Sequence, residues 1–231
     1  MSVRDNLGAI HERIARAAER AGRNRGDIRL MAVTKTVPVE RILEAYEAGQ
    51  WLFGENRVQE FADKHEALRQ LSGAEFHMIG HLQSNKAAKA AELFSAVDSL
   101  DSVKLGDRLN VAAEKSGKQL AVLIELNVGG EQAKSGVAPD SPELGRMLAE
   151  RKNWPHLRIL GLMTVPPFTE DPEGARPYFR RLRELRDRLA TPDLPLKILS
   201  MGMSHDFEVA IEEGSTCVRI GTAIFGERQK T

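Results

Sequence analysis

A single cysteine, Cys217, occurs in 231 residues, so no disulfide can close within the chain and a reducing compartment is expected. Charge of one sign is missing too: 33 basic residues stand against 33 acidic ones, so no net field favours nucleic acid or an anionic membrane. No apolar run approaches the length needed to cross a bilayer. No linker rich in Pro, Gly or Ser, no low-complexity tract and no charge block divides the chain, so residues 1–231 read as one domain. A G-x-G-x-x-G after the first strand-like run is absent, which disfavours a dinucleotide-binding sheet. No His/Cys/Asp spacing suggests a metal site.

What is present is a regular alternation. The N-terminal segment carries Arg4, Arg13, Arg16, Arg20 and Arg23, but Asp5, Glu12 and Glu19 argue against a transit peptide. Leu7, Ile10, Ile14, Ala17 and Ala21 fall on one face of a helix that Gly22 can end. Eight strand-like runs follow, at 28–35, 51–55, 75–80, 95–100, 120–128, 157–165, 196–203 and 217–225, separated by segments with helical spacing. Such alternation implies a parallel sheet covered by helices, and eight units favour closure into a (β/α)8 barrel with an extra N-terminal helix. The protein is expected in the cytoplasm.

The stretch RLMAVTKTVP, residues 29–38, places Lys35 at the end of an apolar, strand-like run, just before a segment broken by Pro38. Met31, Val33 and Lys35 share one face of the strand, and Leu30, Ala32 and Thr34 the other. If the first set points inward, Lys35 enters the mouth of the barrel, where active sites of this fold gather. A partly desolvated amine there has a lowered pKa and can attack an aldehyde; otherwise the lysine simply reaches solvent at a strand end.

The last two units add a candidate anion cradle. Ser200, Gly202, Met203 and Ser204 lead into FEVAIEEG after the seventh run, and Gly221 with Thr222 follows Arg219 in the eighth. These are the places where barrels hold phosphate, although Ser204 or Asp206 could instead cap the following helix. Arg219 lies in an apolar strand, so its guanidinium needs a partner, and a structural carboxylate is the ordinary one.

Taken together, AVTKTVP, FGENRVQE, FHMIGHLQSNK, LNVGGEQAKSG, GLMTVPP, LSMGMSHDFEVAIEEGST and VRIGTAIFG resemble the pyridoxal phosphate homeostasis proteins, the YggS and PROSC group. The resemblance runs from near residue 28 to residue 226. It implies a barrel like the N-terminal domain of alanine racemase, with pyridoxal 5′-phosphate (PLP) held as a Schiff base on Lys35. It also implies that Ser200, Met203, Ser204, Gly221 and Thr222 surround the cofactor phosphate, that Arg219 lies beside the pyridine nitrogen, and that Asn56 and His77 fall near the cofactor face. Asn56 with Gln59 also reads as a capping box, and His77 as a core histidine. The family commonly has an acidic residue where His205 stands. Lys86 is expected in the exposed first turn of a helix capped by Ser84 or Asn85. Lys134 belongs to the pattern without an assigned role. Cys217 reads as a structural core residue.

An arginine can only donate, so a ring nitrogen that meets it stays unprotonated and the ring is a weaker electron sink. A two-base racemase also needs a second acid/base, and Tyr46 and Tyr178 lie in helix-like segments that should pack outside the barrel. The expected function is therefore PLP binding in the homeostasis of the cofactor and of amino and keto acids, by a monomer whose partners are PLP, apo-forms of PLP-dependent enzymes and small amino acids. A weak amino-acid racemase is the enzyme alternative. A Schiff-base lyase acting on phosphosugars would explain Lys35 and the cradle without a cofactor.

Overall fold

The computed structural model describes residues 2–131 and 135–226. It is a closed barrel of eight parallel strands in sequence order, each strand paired with the next and the last with the first. The strands are β1 (Arg29–Val33), β2 (Leu52–Glu55), β3 (Glu75–Met78), β4 (Ala96–Leu100), β5 (Leu120–Glu125), β6 (Leu157–Met163), β7 (Ile198–Met203) and β8 (Cys217–Ile220). The helices are α1 (Val3–Arg20), α2 (Val39–Glu47), α3 (Val58–Leu68), α4 (Ala87–Leu93), α5 (Val103–Lys115), α6 (Pro142–Glu150), α7 (Arg176–Leu189), α8 (Phe207–Glu212) and α9 (Thr222–Phe225).

The extra helix α1 starts at a capping box in which Ser2 and Asp5 exchange side-chain-to-backbone hydrogen bonds of 3.1 and 3.0 Å. It ends where Gly22 takes the left-handed conformation, φ +64°, which costs a side-chain-free residue nothing. Its buried face, Val3, Leu7, Ile10, Ile14, Ala17 and Ala18, packs across α8 and α9. Arg13 and Arg20 pair with Glu208 at 2.7 and 3.1 Å, and Arg13 also lies 4.6 Å from the ring centre of Phe207.

Strand alternation separates two apolar regions. Leu30 and Ala32 join the large core between sheet and helices, while Met31 packs inside the barrel with Leu52 and Cys217. Gly54 makes room for that inner layer: a Cβ there would sit 2.7 Å from the Met31 sulfur. Burial raises the Cys217 thiol to about 12, so it is an inert packing group.

One expected boundary is corrected. The apolar run 217–225 is not a single strand: β8 stops at Ile220, the chain turns at Gly221, and Thr222–Phe225 forms α9. Ala223, Ile224 and Phe225 are apolar because they pack against the helical layer, not because they continue the sheet.

Candidate functional site

Lys35 follows the C-terminal end of β1 in a turn held from both sides. Thr34, on the outward face, donates its hydroxyl to Glu55 Oε1 at 2.8 Å. Lys64 on α3 donates to the Thr34 carbonyl at 3.0 Å, to Glu55 at 3.2 Å and to Glu60 at 2.8 Å. Glu60 in turn accepts the N–H of Thr36, a β-branched residue at φ +59°. That conformation costs about 1–2 kcal/mol, and the ion-pair cluster maintains it. With Thr34 turned outward, alternation directs the half-buried Lys35 to the inner side.

Arg219 is 3% exposed and enters the same end of the barrel from β8. Its Nη1 donates to Ser200 Oγ and its Nη2 to the Thr164 carbonyl, each at 2.7 Å. No carboxylate of the described residues lies within ion-pair distance, so the ordinary expectation for a buried guanidinium is not met. Burial pushes its pKa down, while Cys217, Asp98, Glu125 and Asp206 act in the opposite direction from further off. Ser200 accepts from Arg219 and directs its own O–H to the Cys217 sulfur, so it links the two β8 side chains.

The segment after β8 comes close to β1. A Cβ at Gly221 would lie 3.3 Å from the Val33 carbonyl oxygen, two residues before Lys35. The N–H groups of Thr222 and Ala223 head α9 and lack acceptors within it. After β7, Asp206 is buried and accepts the Met203 N–H at 2.7 Å, so it folds back on the loop instead of capping α8. Ser204 is half-buried beside it, and burial raises the Asp206 pKa. His205 points away: its Nε2 meets the Glu170 carbonyl at 3.1 Å and its ring lies 5.5 Å from that of Phe168.

Asn56 follows β2 at the same end. It does not form the capping box: Arg57 occupies the N-cap position without a side-chain bond, and Gln59 instead donates to Asp63 at 3.1 Å. The Asn56 backbone crosses Gly80 so closely that a Cβ on Gly80 would lie 2.3 Å from the Asn56 carbonyl oxygen.

His77 is not brought together with this group. It lines a cavity of about 310 Å³ whose rim includes Gly26, Asp27, Lys197 and Thr216, all preceding strands, so the cavity opens at the opposite end of the barrel. Its Nδ1 lies 3.1 Å from Asp98 and its Nε2 3.7 Å from Glu75. Burial alone would lower the imidazole pKa, but the charge and hydrogen bond of Asp98, with Glu75, hold it up at about 9. Lys86 is exposed as expected, but in a 3₁₀ turn, Ser84–Lys86, with neither Ser84 nor Asn85 capping α4. Lys134 lies outside the described residues. Among the described residues no group of His, Cys, Asp and Glu could hold a metal ion.

Three features escaped the sequence reading. Thr164 supplies a carbonyl to Arg219, a main-chain role that residue type does not announce. His81 and Asp101, after β3 and β4, pair at 3.2 Å. Glu125, the last residue of β5, is buried with Oε2 unpartnered. Each lies at or just after a strand end, the criterion that singles out Lys35.

The alanine racemase N-terminal domain family matches residues 6–229. The pyridoxal phosphate homeostasis protein of Aquifex aeolicus is 49% identical, with 99% of this chain and all of that protein covered. The chain belongs to this family. The Escherichia coli member is 41% identical over 98% of the chain and 97% of its own length. Among solved structures, PipY of Synechococcus elongatus with PLP bound is 36% identical, with a TM-score of 0.79 over 94% of this chain and 100% of that one. Alanine racemase of Clostridium difficile shares the fold at 16% identity, TM-score 0.72, over 99% of this chain and 57% of its own.

The residues at the strand ends suit an aromatic aldehyde carrying a phosphate. They combine a lysine, a buried arginine bonded, among the described residues, only to neutral oxygens, and a glycine that leaves the backbone uncovered.

Proposed function

We propose that this chain binds PLP at the C-terminal mouth of the barrel and serves in its homeostasis, in step with the amino-acid and keto-acid balance of the cytoplasm. The Lys35 amine attacks the aldehyde carbon, a C=N bond forms and water leaves, giving a Schiff base. Ser200, Ser204 and the backbone of Gly221 and Thr222 receive the phosphate, Met203 and Asn56 border it, and Arg219 donates to the pyridine nitrogen. When bound, PLP supplies an electron sink, which a donating arginine weakens.

The observation that carries this reading is the environment of Arg219. A guanidinium stripped of water but given only a hydroxyl and a carbonyl keeps donors available for a ligand acceptor, whereas a carboxylate partner would have consumed them. The PLP-bound relative supports it. The two tyrosines lie on α2 and α7, outside the sheet, where Tyr46 donates to the Ser72 carbonyl at 2.9 Å. Neither serves as a second acid/base, which favours binding over racemisation. We read the protein as a monomer that accepts small amino acids at the mouth and influences PLP supply to apo-enzymes.

Purified protein should be yellow, lose its colour with borohydride, and carry the reduced adduct on Lys35 by peptide mass analysis. A colourless protein that gains no adduct on incubation with PLP would favour the phosphosugar lyase, and an adduct on Lys86 or Lys134 would move the site.

A further inference from the structure

Glu125 ends β5 with its side chain inside the barrel. Leu123, two residues earlier, lines the interior cavity, and alternation keeps Glu125 on that inner face. The residue is 4% exposed. Its Oε1 accepts the Ser135 hydroxyl at 2.9 Å, whereas Oε2 is buried with no partner. The chain after β5 folds back to cover it: Val137 donates to the Glu125 carbonyl at 2.9 Å, and a Cβ on Gly136 would lie 3.2 Å from the Glu125 Cγ.

An ionised carboxylate would be costly here. It would have one hydroxyl donor, no cation within ion-pair distance among the described residues, and one oxygen without a donor. Burial pushes its pKa up; Asp101 adds to the rise, while Ser135, Arg219 and His81 oppose it. These are the charged and polar groups that face it from the β3, β4 and β8 ends and from the covering segment. A neutral acid has the opposite need, since its O–H requires an acceptor that none of the described residues provides.

We propose that Glu125 is a protonated carboxylic acid that donates a hydrogen bond from Oε2 to an acceptor oxygen on the pyridine ligand. This rests on the reading of the mouth as a PLP site. It assigns β5 a ligand contact across the barrel from Lys35, so that the ring is held from two sides before any covalent bond forms. The donor adds affinity and selects ligands that carry an acceptor at that place.

The test uses pyridoxine 5′-phosphate, which has the ring, the oxygens and the phosphate but no aldehyde, so binding is separated from bond formation with Lys35. Wild-type protein that binds neither this compound nor PLP would fail the underlying reading. Given wild-type binding, Glu125→Gln, whose amide still donates, should bind within about threefold of wild type, and Glu125→Met should lose about tenfold, the equivalent of about 1.4 kcal/mol. Melting curves of both variants check the fold. Infrared difference spectra give an independent measure: a protonated-carboxyl band should shift when the compound is added and be missing from Glu125→Gln. Equal affinity in Glu125→Met and wild type, or no such band in wild type, overturns the proposal. So does Glu125→Gln binding as weakly as Glu125→Met, because an accepting carboxylate would then be the active form.

Discussion

Lys64 donates its ammonium to the carbonyl of Thr34 at 3.0 Å, one residue before the lysine at the centre of the site. The same nitrogen bridges Glu55 and Glu60, so a helix on the outside of the barrel fixes the turn that aims Lys35. Lys64→Met should leave the fully buried Glu55 without its cation and lower stability by about 3 kcal/mol in urea denaturation. The rate of adduct formation with PLP should fall as the turn around Thr36 loosens. Unchanged stability would show that Lys64 does not offset the burial of Glu55.

Lys35→Ala should abolish the borohydride-stable adduct while the melting temperature stays within a few degrees of wild type. Contacts to the phosphate should leave reversible affinity, detectable by ultrafiltration with free PLP.

Arg219→Glu replaces a donor by an acceptor at the position proposed to meet the pyridine nitrogen. The carboxylate should favour a protonated ring, so the visible spectrum of bound PLP and its titration with pH should both change. A preserved titration with PLP still bound would leave Arg219 a purely structural role.

His77 binds its proton more tightly in the folded chain, at about 9, than in the unfolded chain, at 6.5. Its contribution is therefore complete below about pH 6.5 and lost as pH rises through 9. The shift corresponds to a contribution on the order of 3 kcal/mol. The stability advantage of wild type over His77→Gln should be largest at pH 6 and shrink by pH 10, while PLP affinity changes little, because His77 faces the other end of the barrel.

Racemisation would require the α-proton of an amino acid to leave one face and return on the other. Holo-protein incubated with L-alanine in deuterium oxide should form negligible D-alanine. α-Deuterium without inversion would fit a one-base site. Sustained D-isomer lost in Lys35→Ala would establish the racemase, with His81, paired to Asp101 at the mouth, as the next residue to replace.

The barrel was legible because it depends on local information, the order of apolar runs, whereas β1 stops at Val33 and Lys35, expected as its last residue, lies in the turn that follows. Height along the barrel axis was not legible. His77 and Ile79 share a strand face, and which of them reaches the mouth depends on the stagger of all eight strands, which no single segment encodes. The Gly221 turn was hidden because Ile220, Ala223, Ile224 and Phe225 are apolar on both sides of it. The Asn56 and Gln59 spacing suits a capping box, but the tight crossing with Gly80 overrode that local preference. Glu125 was visible in LIELN and needed only the strand-end argument already applied to Lys35.

The barrel is sealed by its most distant parts: β1 pairs with β8, and Asn6 donates to the Ile224 carbonyl at 2.8 Å across 218 positions of sequence. During synthesis the sheet therefore stays open, with two unpaired edges, until the eighth strand has left the ribosome. Lys35 is made early and Arg219 late, so a stalled or truncated product presents the amine without the guanidinium or the Gly221 turn. Such a product could react with an aldehyde only as any surface lysine does. On the proposed reading, retention of the ligand would report a closed barrel, and ligand added during refolding should speed only the last step, closure of the seam.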